Sequence, residues 1–116
     1  MTTNRIKHIT STFAFTAGVA LLTAAAHAAE VTENWTKHCV SCHGKDGKAQ
    51  TKAGRMAGAK DLTDPKQQQS TDEQMFTRIK EGMKDAKGKE LMKPFADKLS
   101  DEEIKALVAY VRGLKK

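Results

Sequence analysis

Two cysteines three positions apart and a histidine immediately after them, Cys39-Val40-Ser41-Cys42-His43, constrain this chain more than any other stretch. Cys-x-x-Cys-His is the attachment signature of c-type haem. On one helical turn each thiol can form a thioether to the edge of the macrocycle, and the adjoining imidazole reaches the iron from the same backbone. Such a chain has to fold around a flat prosthetic group and supply a second iron ligand from elsewhere.

The 116 residues allow one small domain at most, and the N-terminus shortens it. Arg5 and Lys7 form a basic start, residues 11–26 carry no charge, and Ala26-His27-Ala28 has the small-x-small pattern of a signal-peptidase site. The expected organisation is a cleaved leader over 1–28 and a mature domain over 29–116, exported to the periplasm. A retained membrane anchor is the alternative, but the apolar heart of the segment is short for a span. So short a mature chain needs a staple. Burying a few hundred Å² of haem, at about 25 cal/mol per Å², contributes on the order of 10 kcal/mol. A disulfide between Cys39 and Cys42 would close only a tiny loop and constrain the unfolded chain little, so thioethers suit this pair better.

The formal charge of +6 falls to about +4 once Arg5 and Lys7 leave, and two propionates would bring the loaded protein to about +2. Aromatics are scarce and lysines alternate with acids, which speaks against nucleic-acid binding.

Three segments read as helix and none as strand. Val31, Trp35 and Cys39 share one face of a helix over about 31–42. Ser70-Thr71-Asp72-Glu73 reads as a capping box with Ser70 as the cap. It opens a second helix bearing Met75, Phe76 and Ile79, which Gly82 stops. Ser100-Asp101-Glu102-Glu103 opens the third, whose stripe is Ile104, Leu107, Val108, Val111 and Leu114. Acids at its start and Arg112, Lys115 and Lys116 at its end suit the helix dipole. The polar stretches 44–69 and 82–99 are long for loops in so small a domain, which makes sense if they wrap a prosthetic group. The expected fold class is all-α.

His43 follows from the spacing as one axial ligand. His38 lies beside Cys39 on the same helix, cannot reach the opposite haem face, and reads as a surface residue. That leaves methionine as the common partner. Met75 falls on an apolar helical face and reads as core, and Met56 as packing against haem or helix. Met83 and Met92 both precede the last helix. Met92 is preferred because Pro94 stiffens the backbone after it and Phe95 can pack beside it; Met83 has no such support and remains the second candidate.

The Cys39–His43 motif, the Met92-Lys93-Pro94-Phe95 loop and the final helix from Leu99 to Arg112 together resemble a class I cytochrome c. The short bacterial monohaem kind, similar to cytochrome c553, is the nearest variety, and the resemblance covers residues 30–116. It implies a fold in which the first and last helices cross, with Trp35 and Tyr110 as their aromatic contact, and one covalent haem c with iron held by His43 and Met92. Leu62 and Phe95 would line the pocket and Arg55 is a candidate partner for a propionate, with a solvated arginine as the alternative. Two departures stand out: Val31 replaces a frequent glycine, and Ala59-Lys60-Asp61-Leu62 lacks the proline near which a carbonyl accepts from the haem histidine. Some acceptor is still expected, because metal-bound imidazoles donate their other N–H.

The function implied is one-electron transport, with no catalytic residues. Lys45, Lys48, Lys87, Lys89 and Lys93 could steer redox partners with acidic docking surfaces, or simply keep the protein soluble. No nucleic acid, and no membrane span after cleavage, is expected, and the chain should be monomeric. The alternative is a small haem peroxidase or ligand-binding haem protein with a labile sixth ligand; the lack of a spare distal histidine weighs against it. A haem-free thiol oxidoreductase would need strands, and a ligand-sensing four-helix cytochrome would carry the motif near its C-terminus.

Overall fold

The C-terminal helix organises the molecule. The computed structural model describes the backbone of residues 18–114 and the side chains of 22–114. Within them α1 is Gly18–His38, α2 Val40–His43, α3 Lys52–Ala57, α4 Asp72–Glu81, β1 Met83–Lys84, β2 Glu90–Met92 and α5 Asp101–Gly113, with a 3-10 turn at Gln67–Gln69. The fold is all-α in class, with helices α1 and α4 both packed on α5.

The expected stripe on α5 is the core. Ile104, Leu107, Val108 and Val111 are buried, Ile104 and Leu107 at 0% and 1% exposure. Removing each of these two side chains from water contributes about 1.5–3 kcal/mol. Trp35 of α1, Met75 of α4, Phe95 and Leu99 complete the buried cluster, and Val31, Cys39, Leu62 and Met92 pack against it. Met75 is therefore core, as its helical position suggested. The start of α5 is a capping box: Ser100 Oγ accepts from the Glu103 amide at 3.2 Å and the Glu103 carboxylate accepts from the Ser100 amide at 2.7 Å. Glu103 also accepts from Asn34 Nδ2 of α1 at 3.2 Å, which ties the first helix to the last.

Several expectations need correction. The box that opens α4 is Thr71 with Gln74, one residue later than expected, and Ser70 Oγ instead accepts from Arg78. Ser70 closes the preceding 3-10 turn and its hydroxyl is engaged by Arg78, which leaves Thr71, extended at φ −70° and ψ 161°, to cap α4. The long first loop contains α3, and the second contains a short antiparallel hairpin, β1 with β2. The hairpin turns at Asp85, whose carboxylate accepts from the amides of Lys87 and Lys89. The first helix is nearly continuous into the haem motif: Cys39 leaves the regular α1 spiral, yet its amide still donates to the Trp35 carbonyl at 2.9 Å. His38 is half-buried, not a surface residue, and meets the Phe95 ring edge-on with centroids 5.6 Å apart. Met56 is 74% exposed.

Residues 1–17 of the expected leader lie outside the described residues. Gly18 to Ala28 form the first turns of α1, with residues 22–28 exposed, so the expected boundary after Ala28 falls inside a helix. No helix among the described residues is long and apolar enough to cross a membrane.

Candidate haem site

The end of α1 and the whole of α2 carry the attachment motif. The His43 amide donates to the Cys39 carbonyl at 2.9 Å, so one helical turn joins the first cysteine to the histidine. Both cysteines are half-buried free thiols. Burial, with a smaller contribution from Cys42, pushes the Cys39 thiol up to about 11. Burial also lowers the His43 pKa from its ordinary value and keeps the imidazole neutral with a lone pair to donate.

Around the motif stands an aromatic wall. Trp35, 3% exposed, lies 6.2 Å from the His43 ring and 5.0 Å from the Tyr110 ring, centroid to centroid. The expected contact between the first and last helices is therefore present, and it extends to the histidine. Phe95 is buried in the same cluster, and Leu62 and Met92 are half-buried against it. Phe95 is held by the end of α4: its amide donates to the Ile79 carbonyl at 3.1 Å, and the Ala96 amide donates to the Lys80 carbonyl at 3.2 Å. Cys39, Leu62, Met92 and Phe95 thus meet around one apolar cluster. Arg55 donates to the Gln50 carbonyl at 3.1 Å. Lys45, Lys87, Lys89 and Lys93 are exposed and Lys48 is half-buried.

The buried Nδ1 of His43 and Nε1 of Trp35 have no hydrogen-bond partner among the described residues. No carbonyl of the segment 59–62 therefore accepts from His43 here. Two thiols one turn apart, a neutral imidazole and an apolar wall are the donors and surroundings that a covalently held haem needs, and the residues present fit that group.

Three residues bearing on the site escaped the sequence reading. The Thr51 hydroxyl lies 2.8 Å from the Ser41 carbonyl and 3.0 Å from the Cys42 carbonyl. Gly54 is buried beneath them, and Ala49 donates its amide to the His43 carbonyl at 2.9 Å. A threonine in front of a short helix was legible as a cap; its reach to another helix was not.

A helical fold that closes on a Cys-x-x-Cys-His turn defines the class: this is a class I monohaem cytochrome c, a haem electron carrier and not an enzyme. The chain belongs to the family described as cytochrome c oxidase, cbb3-type, subunit III, which matches residues 26–111. Among solved structures it is similar to the KustC0563 c-type cytochrome, at 41% identity and a TM-score of 0.65 over 73% of this chain and 96% of that one. A tyrosine-to-phenylalanine mutant of Kustc0563 is similar at 39% identity and a TM-score of 0.64, over 74% of this chain and 99% of the other. No curated protein matches the chain.

Proposed function

We propose that this cytochrome carries single electrons between redox proteins of the periplasm, with its haem fixed by Cys39 and Cys42 and its iron ligated by His43 and Met92. When bound, the haem iron supplies the one-electron Fe(III)/Fe(II) couple. The protein's residues hold it, tune it and keep water away. Cys39 and Cys42 anchor the macrocycle at two points of one turn. His43, kept neutral by burial, presents a nitrogen lone pair. Met92 offers a soft, uncharged thioether, which favours ferrous iron and so raises the potential. Trp35, Leu62 and Phe95 supply the apolar wall that excludes solvent.

The observation that carries the choice of Met92 is its burial. It packs against the core cluster that includes Phe95 and touches Cys39, whereas Met83 is 40% exposed. The exposed lysines Lys45, Lys87, Lys89 and Lys93 favour partners with acidic docking surfaces, at rates that fall with salt. The leader pattern supports export with cleavage after Ala28, leaving residues 29–116.

One set of spectra tests the reading. The matured protein should show the reduced c-type alpha band and, when oxidised, the weak long-wavelength sulfur-to-iron band. That band should vanish in Met92→Ala and survive in Met83→Ala. The reverse pattern overturns the ligand choice, and prompt azide or carbon monoxide binding by the native protein would favour a ligand-binding or peroxidase role.

A further inference from the structure

A helix of four residues cannot hold its own end. The last carbonyls of any helix lack partners within it, and α2 is little more than one turn. Its final residues are the ones proposed to carry the second thioether and the axial imidazole. Their main chain is held from outside, by the segment that leads into α3. Thr51 Oγ1 lies within hydrogen-bonding distance of both the Ser41 and Cys42 carbonyls, at 2.8 and 3.0 Å, and its single proton is shared between them. The amide of Ala49 donates to the next carbonyl, that of His43, at 2.9 Å. The last three carbonyls of the motif are thus met by residues 49 and 51.

The clamp is itself fixed. The same Thr51 hydroxyl accepts from the Gly54 amide at 2.9 Å, because Thr51 is the N-cap of α3. One oxygen therefore links the beginning of one helix to the end of another. Gly54 allows the approach: a Cβ there would overlap the Cys42 carbonyl oxygen. Ala49 is the one non-glycine among the described residues with a positive φ, at 56°, and it is buried. A strained alanine in the interior marks a backbone whose path is dictated by what it must reach.

We infer that residues 49–54 form a clamp on the haem-binding turn, with Thr51 as a positioning residue that sets the orientation of His43 through the Ser41 and Cys42 carbonyls. The inference rests on the reading of His43 as the axial ligand. Groups that orient a metal-bound imidazole tune the metal, although they never touch it. Here the orienting group acts on the backbone beneath the ring, and Trp35 packs beside it.

Proton NMR of the ferric matured protein is the test, since the paramagnetic shifts of the haem methyls report the plane of the axial imidazole. Thr51→Val should rearrange the methyl pattern and shift the reduction potential. Thr51→Ser, which keeps the hydroxyl, should restore both, and Lys52→Ala, on the exposed side of α3, should change neither. In the native protein a slowly exchanging Thr51 hydroxyl proton should show contacts to Ser41 and Cys42, a measurement that holds even if Thr51→Val fails to mature. An unchanged methyl pattern in Thr51→Val, a Thr51→Ser pattern as altered as the valine one, or a rapidly exchanging native hydroxyl each overturns the clamp. Native His43 ring protons without paramagnetic shift would instead overturn the ligand reading, and the inference with it.

Discussion

Met83 and Met92 are direct partners across the β1–β2 hairpin, paired Cα to Cα in register. Residues directly opposed in an antiparallel pair put their side chains on the same face of the ribbon. The two candidate ligands are thus neighbours, and their order in the sequence does not separate them. They differ in exposure, Met92 being half-buried and Met83 40% exposed, and in an irregularity: Lys84 pairs with Glu90, so Leu91 is an extra residue in β2. A bulge of this kind re-aims the side chain beside it, and here that side chain is Met92.

Gly82 should prove as necessary to the proposed ligation as Met92, the proposed sixth ligand. Its φ is 73°, and a Cβ there would overlap the Met92 carbonyl oxygen and crowd Lys93 and Pro94. Gly82→Ala is expected to push the ligand loop outward, weakening the sulfur-to-iron band and lowering the reduction potential while the alpha band persists. Visible spectra and a redox titration check it; an unaltered band means the loop tolerates the methyl group.

Trp35 links α1, α5 and the haem turn. Trp35→Ala should cost about 3–5 kcal/mol of unfolding free energy, as large core truncations do. Trp35→Phe, which keeps a ring against Tyr110 and His43, should lose distinctly less. Guanidinium unfolding of the matured proteins gives both values, and equal losses would deny the aromatic contact any special role.

Arg112 fastens the last helix to the start of α4. Its guanidinium donates to the Gln68 carbonyl at 2.6 Å, to the Ser70 carbonyl, and to Asp72 at 2.9 Å. Only a planar fork meets acceptors in so many directions. Arg112→Lys should lower stability by about 1.5–3 kcal/mol, the usual worth of charge-assisted hydrogen bonds, and should speed amide exchange over residues 67–72. Exchange confined to other segments would contradict this.

The capping carboxylate of α5 predicts an acid limb. The Ser100 amide, and then Asn34, hold the Glu103 pKa below its ordinary value of 4.5. The folded state therefore releases this proton more readily than the unfolded one. The contribution is complete above the unfolded value and is lost as pH falls through the folded one. Glu103→Gln keeps the shape without the charge, so its stability should fall less than that of the native protein between pH 7 and pH 3.5. Unfolding midpoints at the two pH values test it; parallel losses would assign the acid limb to other groups.

Much of the fold was legible because its signals are local. The stripe from Ile104 to Leu114 and the Ser100–Glu103 box depend on spacing within one helix; the box is present as read, and the stripe is buried through Val111, with Leu114 partly buried just past the end of α5. The box at α4 was misplaced by one residue, since Ser70-Thr71-Asp72-Glu73-Gln74 offers two overlapping cap patterns, and the contact with Arg78 that occupies the Ser70 hydroxyl is not visible in either pattern. The hairpin was missed because strands of two and three residues are too short to display an alternating pattern. His38 was misjudged because its neighbour, Phe95, lies far along the chain.

The capacity of Cys39 to His43 to hold a covalent haem was legible in the sequence alone, because thioether spacing and the adjoining imidazole are properties of a single turn. What holds that turn was decided by tertiary structure. Thr51 under the Cys42 carbonyl, Gly82 under Met92, Trp35 between Tyr110 and His43, and the burial that separates Met92 from Met83 are all contacts across the chain. Spacing encodes which groups one turn can present, whereas only packing sets which distant groups constrain them and how much water reaches the site.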